Sequence, residues 1–162
     1  MKDKNINGTK VSKVLYEELK KYLDNHEINP TIVDISIGDD FGGLMYSKMK
    51  QKKINQETGI EFQSIHYDKI TKTNLIKYLK KLNKDENVNG IMIQLTLPKN
   101  LAKYEREILD TITPSKDVDG LTTMSSGKLS IGTDTFVPCT ALGIEMLLKA
   151  YDIKLTGKTV AI

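Results

Sequence analysis

The sequence TIVDISIG, residues 31–38, decides the fold of this 162-residue chain. It is short, β-branched and largely apolar, which is typical of a buried strand. Residues 60–67 alternate like a second strand, and residues 88–95 (VNGIMIQL) form a third apolar run. Helical patterns separate these runs, at about residues 43–58 and 72–83. Strands that alternate with helices predict βαβ units, and therefore a three-layer α/β domain with a mostly parallel sheet.

Helical and irregular segments flank this alternation. Apolar residues at helical spacing predict a helix at residues 10–25, and further helices are predicted at residues 101–110 and 140–151. Residues 121–138 lack such a pattern and are predicted to be irregular. The final residues, 159–162 (TVAI), read as the start of another apolar strand. Either they are the last edge strand of a complete domain, or they open a second domain whose remainder is missing.

The composition indicates a soluble globular domain, because 39% of the residues are hydrophobic and 28% are charged. The net charge is +3, but Arg106 is the only arginine and the lysines are scattered beside acidic residues, so no nucleic-acid partner is expected. No apolar run approaches the length of a membrane span, so no membrane partner is expected either. The single cysteine, Cys139, excludes an intrachain disulfide and is consistent with a cytoplasmic protein.

Tyr46 and Lys50 are the first candidates for a functional site. They are four residues apart in a predicted helix, so they share one helix face and can point into the same space. The tyrosine ring can stack on a planar ligand. The lysine can transfer a proton if burial, or a nearby cation such as Lys48 or Lys53, makes it lose its own proton more readily. The alternative is an ordinary surface lysine beside a tyrosine at the edge of the core.

Two later segments contribute an amide and a carboxylate. Gln94 lies near the end of the third predicted strand, where its amide needs hydrogen-bond partners and its carbonyl can accept from Lys50. Asp119, in the loop KDVDG, can accept two N–H hydrogen bonds from an amidine-like ring edge. It also fits a simple turn, and Asp117 fits the same role by spacing. Ligands of parallel sheets bind at the carboxyl ends of the strands, so these side chains can converge there.

Other residues with reactive side chains form no recognisable motif. His26 and His66 lack metal-ligand spacing and are predicted to be structural, so no metal is expected. Cys139 has no histidine nearby in the sequence and is not expected to act as a nucleophile. The sequence contains no P-loop, zinc motif, nucleophile elbow or G-x-G-x-x-G turn.

The ordered set of motifs resembles the bifunctional methylenetetrahydrofolate dehydrogenase / methenyltetrahydrofolate cyclohydrolase family. The resemblance covers nearly the whole chain, and KDVDG together with the Q-L-x-L-P segment is specific for that family. The segments that carry it are NGTKVSKVLYEELKKYL, GDDFGGLMYSKMKQKKINQETGI, VNGIMIQLTLP, ITPSKDVDGLTTMSSGKLSIG and FVPCTALGIEMLL.

The resemblance implies roles for the candidate residues. Lys50 matches the catalytic lysine of the family, and Gln94 matches the glutamine that hydrogen-bonds and tunes that lysine. Tyr46 matches the tyrosine that stacks on the folate and is counted with the catalytic groups, and Asp119 matches the carboxylate that anchors the pterin ring. The substrate-binding residues implied in this way are Tyr46, Gln94, Leu97, Pro98 and Asp119.

The implied chemistry has two steps. Hydride leaves the one-carbon bridge of 5,10-methylenetetrahydrofolate for the nicotinamide of NADP. Water then adds to the resulting 5,10-methenyltetrahydrofolate, and the ring opens to 10-formyltetrahydrofolate. A lysine near neutrality suits the water and proton transfers of the second step. The implied substrate is therefore a tetrahydrofolate derivative and the implied cofactor is NADP.

The resemblance also implies how the chain is divided. In the family an N-terminal α/β domain binds the folate, and a following Rossmann domain binds NADP or, in some members, NAD. Residues 1–139 are therefore expected to form the folate-binding catalytic domain. Residues 140–162 are expected to supply a linking helix and the first strand of a Rossmann domain that is otherwise missing. No cofactor-binding residue is expected in this chain, which is predicted to have little dehydrogenase activity alone, and a homodimer is expected for the full-length protein.

Four positions depart from the family pattern. Gly43 stands where serine is usual, and Thr96 replaces the first proline of Q-L-P-L-P. Ser125 stands where an asparagine is expected, and Ala141 replaces the proline that usually follows PCT. The four main groups are intact, so these departures bear on the fine positioning of the substrate.

Two other functional readings were compared with this one. A short-chain dehydrogenase also uses Y-x-x-x-K, but that fold needs a glycine fingerprint upstream and none precedes Tyr46. A non-catalytic folate-binding or interaction domain of the same fold is the main alternative. The presence of both Lys50 and Gln94 favours an enzyme, because pure binding does not require a tuned amine.

Overall fold

The three apolar runs form one parallel sheet. The computed structural model describes residues 5–160. Strands β1 (Thr31–Ile37), β2 (Glu61–Tyr67) and β3 (Gly90–Ile93) lie in the order β2-β1-β3, and both neighbouring strands run parallel to the central β1. The α/β prediction with a parallel sheet is therefore confirmed.

Helices connect the strands and cover both faces of the sheet. Within the described residues there are seven α-helices and one short 3-10 helix, Pro114–Lys116. The α-helices are α1 (Gly8–His26), α2 (Phe41–Glu57), α3 (Lys72–Lys84), α4 (Lys99–Ala102), α5 (Glu105–Leu109), α6 (Thr123–Ser130) and α7 (Cys139–Ala150). None of the helices in this part of the chain combines the length and the apolar character that crossing a membrane requires.

One face of the sheet is apolar and forms the hydrophobic core. Because side chains alternate along a strand, Val33, Ile35 and Ile37 of β1 all point to this face. They pack with buried leucines and isoleucines from β3, α3 and the α4–α5 region. The main members of this core are Val33, Ile35, Ile37, Leu75, Leu79, Leu82, Ile91, Ile93, Leu101, Ile108 and Leu109.

The opposite face of the sheet is polar and lies under α2. The alternate residues of β1 that point to this face include Asp34 and Ser36, and both are buried. Asp34 lies beside Ser64 of β2 in the strand register and beside Met92 of β3. Helix α2 packs against β2 and β1 on this side. The polar residues are therefore enclosed between the sheet and the helix, where each needs a hydrogen-bond partner.

Two glycines allow the KDVDG loop to lie against the sheet. A Cβ atom on Gly90 would lie 2.5 Å from Val118 Cγ1, so only glycine fits at the start of β3 without a shift. Gly120 has a positive φ of 66°, and a Cβ atom there would lie 2.5 Å from the carbonyl oxygen of Phe136. The loop is further joined to β3 by a parallel bridge between Ile91 and Asp117.

Some predicted elements differ from the structure. In place of the helix predicted at residues 101–110 there are two short helices, α4 and α5. The segment predicted to be irregular, residues 121–138, contains α6. The side chain of Thr122 caps this helix by accepting a hydrogen bond from the backbone N–H of Ser125. The third strand ends at Ile93 rather than at Leu95, and the backbone N–H of Gln94 still donates to the carbonyl of Ile35 over 2.8 Å. Residues 159 and 160 are not in a strand. The rest of that predicted strand, 161–162, lies outside the described residues.

Helix α7 lies against α1. A Cβ atom on Gly8 of α1 would lie 3.8 Å from Leu147 Cδ2 of α7. The backbone N–H of Asn7 donates a hydrogen bond of 2.8 Å to the hydroxyl of Tyr151. These contacts attach the predicted linking helix to the first helix of the chain. The division of the chain at residue 139 stays a prediction.

Replacing Gly90 with alanine is expected to lower the free energy of unfolding by about 1–3 kcal/mol, because the added methyl group overlaps Val118. Urea unfolding followed by circular dichroism measures the change. The matched control is Gly127→Ala in α6, where a Cβ atom meets no atom within 4 Å. That substitution is expected to stabilise the protein by about 0.5–1 kcal/mol, because alanine favours a helix over glycine. Equal effects of the two substitutions would contradict the close approach at Gly90.

Candidate functional site

A buried carboxylate lies at the centre of the polar face. Asp34 has no exposed surface, and its Oδ1 accepts a hydrogen bond of 2.6 Å from Nε2 of Gln94. Its Oδ2 accepts from the hydroxyl of Ser47 in α2. The Ser47 hydroxyl is also 2.6 Å from the hydroxyl of Ser64. The carboxylate therefore connects β1 with the adjacent helix and with the end of β3.

Lys50 extends from α2 to the same carboxylate. Its Nζ lies 3.8 Å from Asp34 Oδ2 and 3.9 Å from the sulfur of Met92, and the side chain is only 19% exposed. Of the two conditions predicted for proton transfer by this amine, burial or a neighbouring cation, the structure provides partial burial. The charged group that contacts the amine is an anion rather than Lys48 or Lys53.

Tyr46 lies beside Lys50, as the four-residue spacing predicts. The Lys50 nitrogen is 5.0 Å from the centre of the Tyr46 ring and 5.8 Å from that of Phe62. Phe62 is buried beneath the amine, whereas Tyr46 is 57% exposed. The Tyr46 ring therefore presents an open flat surface next to a partly buried amine.

The predicted hydrogen bond from Lys50 to the Gln94 carbonyl is replaced by a bridge. The Gln94 amide nitrogen donates to one oxygen of Asp34 while the Lys50 amine approaches the other. Asp34, which was not among the predicted site residues, therefore lies between the two side chains. Because its nitrogen is used in this way, Gln94 keeps its carbonyl oxygen as the acceptor for a further donor.

The structure distinguishes the two aspartates of the KDVDG loop. Asp117 is buried, and its two carboxylate oxygens accept from the backbone N–H groups of Leu121 and Thr122 over 3.1 and 2.9 Å. These bonds make Asp117 a structural residue of the loop. Asp119 is only partly buried and remains the candidate for contact with a ligand.

Asp119 is electrostatically coupled to the buried cluster. Burial raises the pKa of the Asp119 carboxyl above its ordinary value, while a hydrogen bond with Cys139 and the charge of Lys50 oppose this effect. The nearby carboxylates of Asp34 and Asp117 raise the pKa further. Charges act on one another in this way only over short distances, so Asp119 and Lys50 lie in one neighbourhood.

The two residues predicted from the Q-L-x-L-P segment occupy different environments. Leu97 is buried in the hydrophobic core, so its side chain does not lie on an open surface. Pro98 packs on Gly38 and borders an open cleft of about 1060 Å³ beyond the carboxyl ends of β1 and β2. Apolar side chains that line this cleft are Ile37, Tyr67, Ile70, Tyr78 and Pro98.

The four departures from the family pattern lie in different settings. Gly43 is in the first turn of α2, where a Cβ atom would lie 2.8 Å from Asp40 Oδ2. The peptide bond between Leu95 and Thr96 is cis. Ser125 is buried and hydrogen-bonds Thr122 at the start of α6, whereas Ala141 is exposed on α7.

The remaining reactive side chains have local partners. The ring of His26 stacks on Tyr22 with centroids 4.1 Å apart. His66 contacts the Ser36 hydroxyl and the Asp68 carboxylate, each over 3.1 Å. Partial burial, the Asp119 charge and the hydrogen bond with Asp119 raise the pKa of the Cys139 thiol, and the charge of Lys50 and a backbone hydrogen bond lower it. A raised pKa reduces the thiolate fraction, which disfavours Cys139 as a nucleophile.

The fold places the chain in the class of α/β domains with a parallel sheet, and comparison with known proteins identifies the family. Residues 6–119 match the family described as tetrahydrofolate dehydrogenase/cyclohydrolase, catalytic domain. The chain belongs to this family, and the resemblance seen in its sequence motifs is confirmed.

Relatives and solved structures agree with this assignment. The chain is 41% identical over 158 residues to the bifunctional protein FolD of Clostridium tetani, covering 94% of this chain and 56% of that protein. The FolD enzyme of Campylobacter jejuni, a methylenetetrahydrofolate dehydrogenase/cyclohydrolase, has a similar structure with a TM-score of 0.79 and 36% identity, covering 90% of this chain and 51% of that one. The structure of the corresponding bifunctional enzyme of Thermoplasma acidophilum is similar with a TM-score of 0.84 and 28% sequence identity. The match covers 91% of this chain and 53% of that one. The chain therefore spans about half the length of these relatives.

Four polar residues enclosed between the sheet and α2 were not predicted from the sequence. Asp34 and Ser36 alternate with apolar residues in β1, and this alternation signals a strand with one polar face. Ser47 lies between Tyr46 and Lys50 in the sequence, and Ser64 is an inconspicuous serine of β2. Asp34 could have been found from its alternation, whereas the partnership of Ser47 with Ser64 depends on how α2 packs.

Replacing Asp119 with asparagine is expected to raise the free energy of unfolding near neutral pH, because a neutral amide avoids the burial cost of the carboxylate. A pKa raised in the folded state means that the ionised group destabilises the fold above that pKa. This destabilisation disappears as the pH falls through the raised pKa of Asp119 in the folded state toward its ordinary pKa of 3.8. Urea unfolding at several pH values should therefore show that the extra stability of Asp119→Asn over the wild type becomes smaller as the pH is lowered.

The control for this measurement is Asp134→Asn, since Asp134 is an exposed aspartate of the irregular segment before α7. It is expected to change the stability little at any of these pH values. A gain from Asp119→Asn that does not vary with pH would show that burial of the charge is not its cause.

Proposed function

We propose that this chain provides the folate-binding catalytic domain for the interconversion of tetrahydrofolate one-carbon derivatives. The overall reactions are the NADP-dependent oxidation of 5,10-methylenetetrahydrofolate to 5,10-methenyltetrahydrofolate and the hydrolysis of that product to 10-formyltetrahydrofolate. The observation that carries the proposal is the cluster of Lys50, Asp34 and Gln94, to which Asp119 is coupled by charge. Membership of the family supports the choice of substrate.

In the hydrolysis step, water adds to the methenyl carbon and the bond from that carbon to ring nitrogen N5 breaks. The cationic substrate and water become neutral 10-formyltetrahydrofolate and one proton. The Lys50 amine is proposed to exchange protons with the water and with N5, since it is partly buried and close to an exposed ring face. The Gln94 carbonyl, left free by the bond from its nitrogen to Asp34, is proposed to accept from Lys50 or from the substrate.

Tyr46 and Asp119 are proposed to hold the substrate. The exposed Tyr46 ring beside Lys50 offers a stacking surface for a planar ligand. Asp119 is proposed to accept paired hydrogen bonds from the pterin edge, because Asp117 already has two backbone partners. Pro98 and the backbone around Leu97 are proposed to border the same substrate site.

The residues of this chain do not fit a dinucleotide. The loop from β1 into α2, where a doubly wound fold would carry its glycine fingerprint, reads GDDFGG, and the sequence contains no G-x-G-x-x-G turn. The hydride step is therefore assigned to no residue of this chain. Residues 1–139 are proposed to form the folate domain, and residues 140–162 are proposed to lead into a further domain that binds NADP. A cytoplasmic location and a homodimer are proposed for the full-length protein.

Replacing Lys50 with methionine is expected to slow hydrolysis of 5,10-methenyltetrahydrofolate by at least about 100-fold, because proton transfer by a positioned group contributes that much or more. Absorbance of the methenyl group measures the rate with the 162-residue chain. The control is Lys48→Met, an exposed lysine of the same helix, which should retain the wild-type rate.

This experiment also tests the non-catalytic alternative. A wild-type chain that binds the folate but does not accelerate hydrolysis would favour a folate-binding domain without catalysis. An accelerated hydrolysis that Lys50→Met leaves unchanged would remove Lys50 from the mechanism.

Replacing Tyr46 with alanine is expected to weaken binding of 5-formyltetrahydrofolate by about tenfold through loss of ring stacking, whereas Tyr46→Phe should bind nearly as the wild type does. Isothermal titration calorimetry measures both affinities. The exposed position of the ring predicts that the free energy of unfolding of Tyr46→Phe changes by less than about 0.5 kcal/mol. Equal affinity of wild type and Tyr46→Ala would place the ligand elsewhere.

A further inference from the structure

The Asp34 carboxylate is more deeply buried than any group to which the proposed reaction assigns a role. A buried charge is costly unless it is paired and hydrogen-bonded. Asp34 has no exposed surface, yet it lies on the central strand, within the cluster that contains Lys50 and Gln94. Burial of a carboxylate at this position therefore requires an explanation in terms of its partners.

The direct partners of the Asp34 carboxylate come from α2 and from the residue that follows β3. Ser47 and Lys50 lie three residues apart on one face of α2, and both approach Asp34 Oδ2. Gln94 follows β3 and donates to Oδ1. Ser64, the register neighbour of Asp34 on β2, contacts the Ser47 hydroxyl over 2.6 Å. Each carboxylate oxygen is thus bound from a different side.

We propose that Asp34 is a positioning residue, which holds the Lys50 amine and the Gln94 amide at a fixed separation and orientation. Its Oδ2 keeps the amine directed at the sheet beside the Tyr46 ring. Its Oδ1 determines which end of the Gln94 amide faces the carboxylate, and so leaves the carbonyl end for Lys50 or for substrate. The catalytic consequence rests on the proposed function, whereas the geometric role concerns only this chain.

The competing explanation is that Asp34 only joins α2 to the sheet. If Asp34 only joins α2 to the sheet through Ser47 and does not hold the Lys50 amine, changing it would affect stability but leave the reactivity of Lys50 unaltered. The titratable groups that face Lys50 are Asp34 from β1, Asp119 from the KDVDG loop, Cys139 from α7 and Tyr46 from its own helix. Among them Asp34 is the carboxylate in ion-pair contact, so its removal is the informative change.

The test is the pH profile of Lys50 acylation by acetic anhydride, read by mass spectrometry of the Lys50 peptide. Lys72, which pairs with Glu107 over 3.0 Å, serves as the internal reference. In Asp34→Asn the adjacent anion is lost, so the ammonium form of Lys50 is less favoured. Its acylation profile is expected to move to lower pH. The control Asp68→Asn removes an exposed carboxylate that contacts His66 and should leave the profile unchanged.

A folded Asp34→Asn whose Lys50 profile matches that of the wild type would overturn the proposal. A second measurement uses the wild type alone, so that it does not depend on how the variant folds. The side-chain amide protons of Gln94 are expected to exchange with solvent at least about tenfold more slowly than those of the exposed Gln56, because they are bound to a buried carboxylate. Equal exchange rates for the two amides would also overturn it.

These outcomes are separate from those that test the proposed function. If the wild type fails to bind or hydrolyse a folate while the Lys50 profile shifts, the reaction assignment is wrong and the role of Asp34 stands. If the wild type hydrolyses methenyltetrahydrofolate but the Lys50 profile does not shift, the reaction stands and the role of Asp34 is refuted.

Discussion

The burial of one carboxylate constrains the arrangement of the site. Asp34 lies on the middle strand with no access to water, so its two oxygens must receive hydrogen bonds from the protein itself. The donors come from α2 and from the residue that follows β3. The hydrogen bonds to the Asp34 carboxylate therefore fix the position of α2 relative to the end of β3. The Lys50 amine, which lies close to the same oxygen, is held in position as a consequence.

The two faces of the sheet differ in character, because one is apolar and forms the core whereas the other encloses polar groups. The apolar face packs against α3 and the short helices beyond β3, and this burial supplies most of the hydrophobic stabilisation. The polar face instead encloses Asp34, Ser47 and Ser64, whose hydrogen bonds mainly offset the cost of removing them from water. Because the apolar face stabilises the fold, the other face can hold costly polar groups, among them the partly buried Asp119.

The KDVDG loop connects the second half of the chain to this polar cluster. Asp117 closes the loop on itself through the N–H groups of Leu121 and Thr122, and Gly90 lets the loop lie directly on β3. Asp119 is then left beside the Lys50 neighbourhood without a backbone partner of this kind. Two aspartates that look equivalent in the sequence thus differ, because Asp117 is bound to the backbone of its own loop whereas Asp119 is proposed to contact the ligand.

The sequence by itself determined the three parallel strands, the helices α1, α2, α3 and α7, and the family, because these depend on local periodicity and on motifs within short segments. It also brought Tyr46 and Lys50 together, since four residues make about one helical turn. Only the tertiary structure decided that Asp34 stands between Lys50 and Gln94, and that Asp117 rather than Asp119 is tied to the backbone. The physical reason is that hydrogen bonds between distant segments depend on how a helix packs across a sheet, and no local pattern encodes that packing.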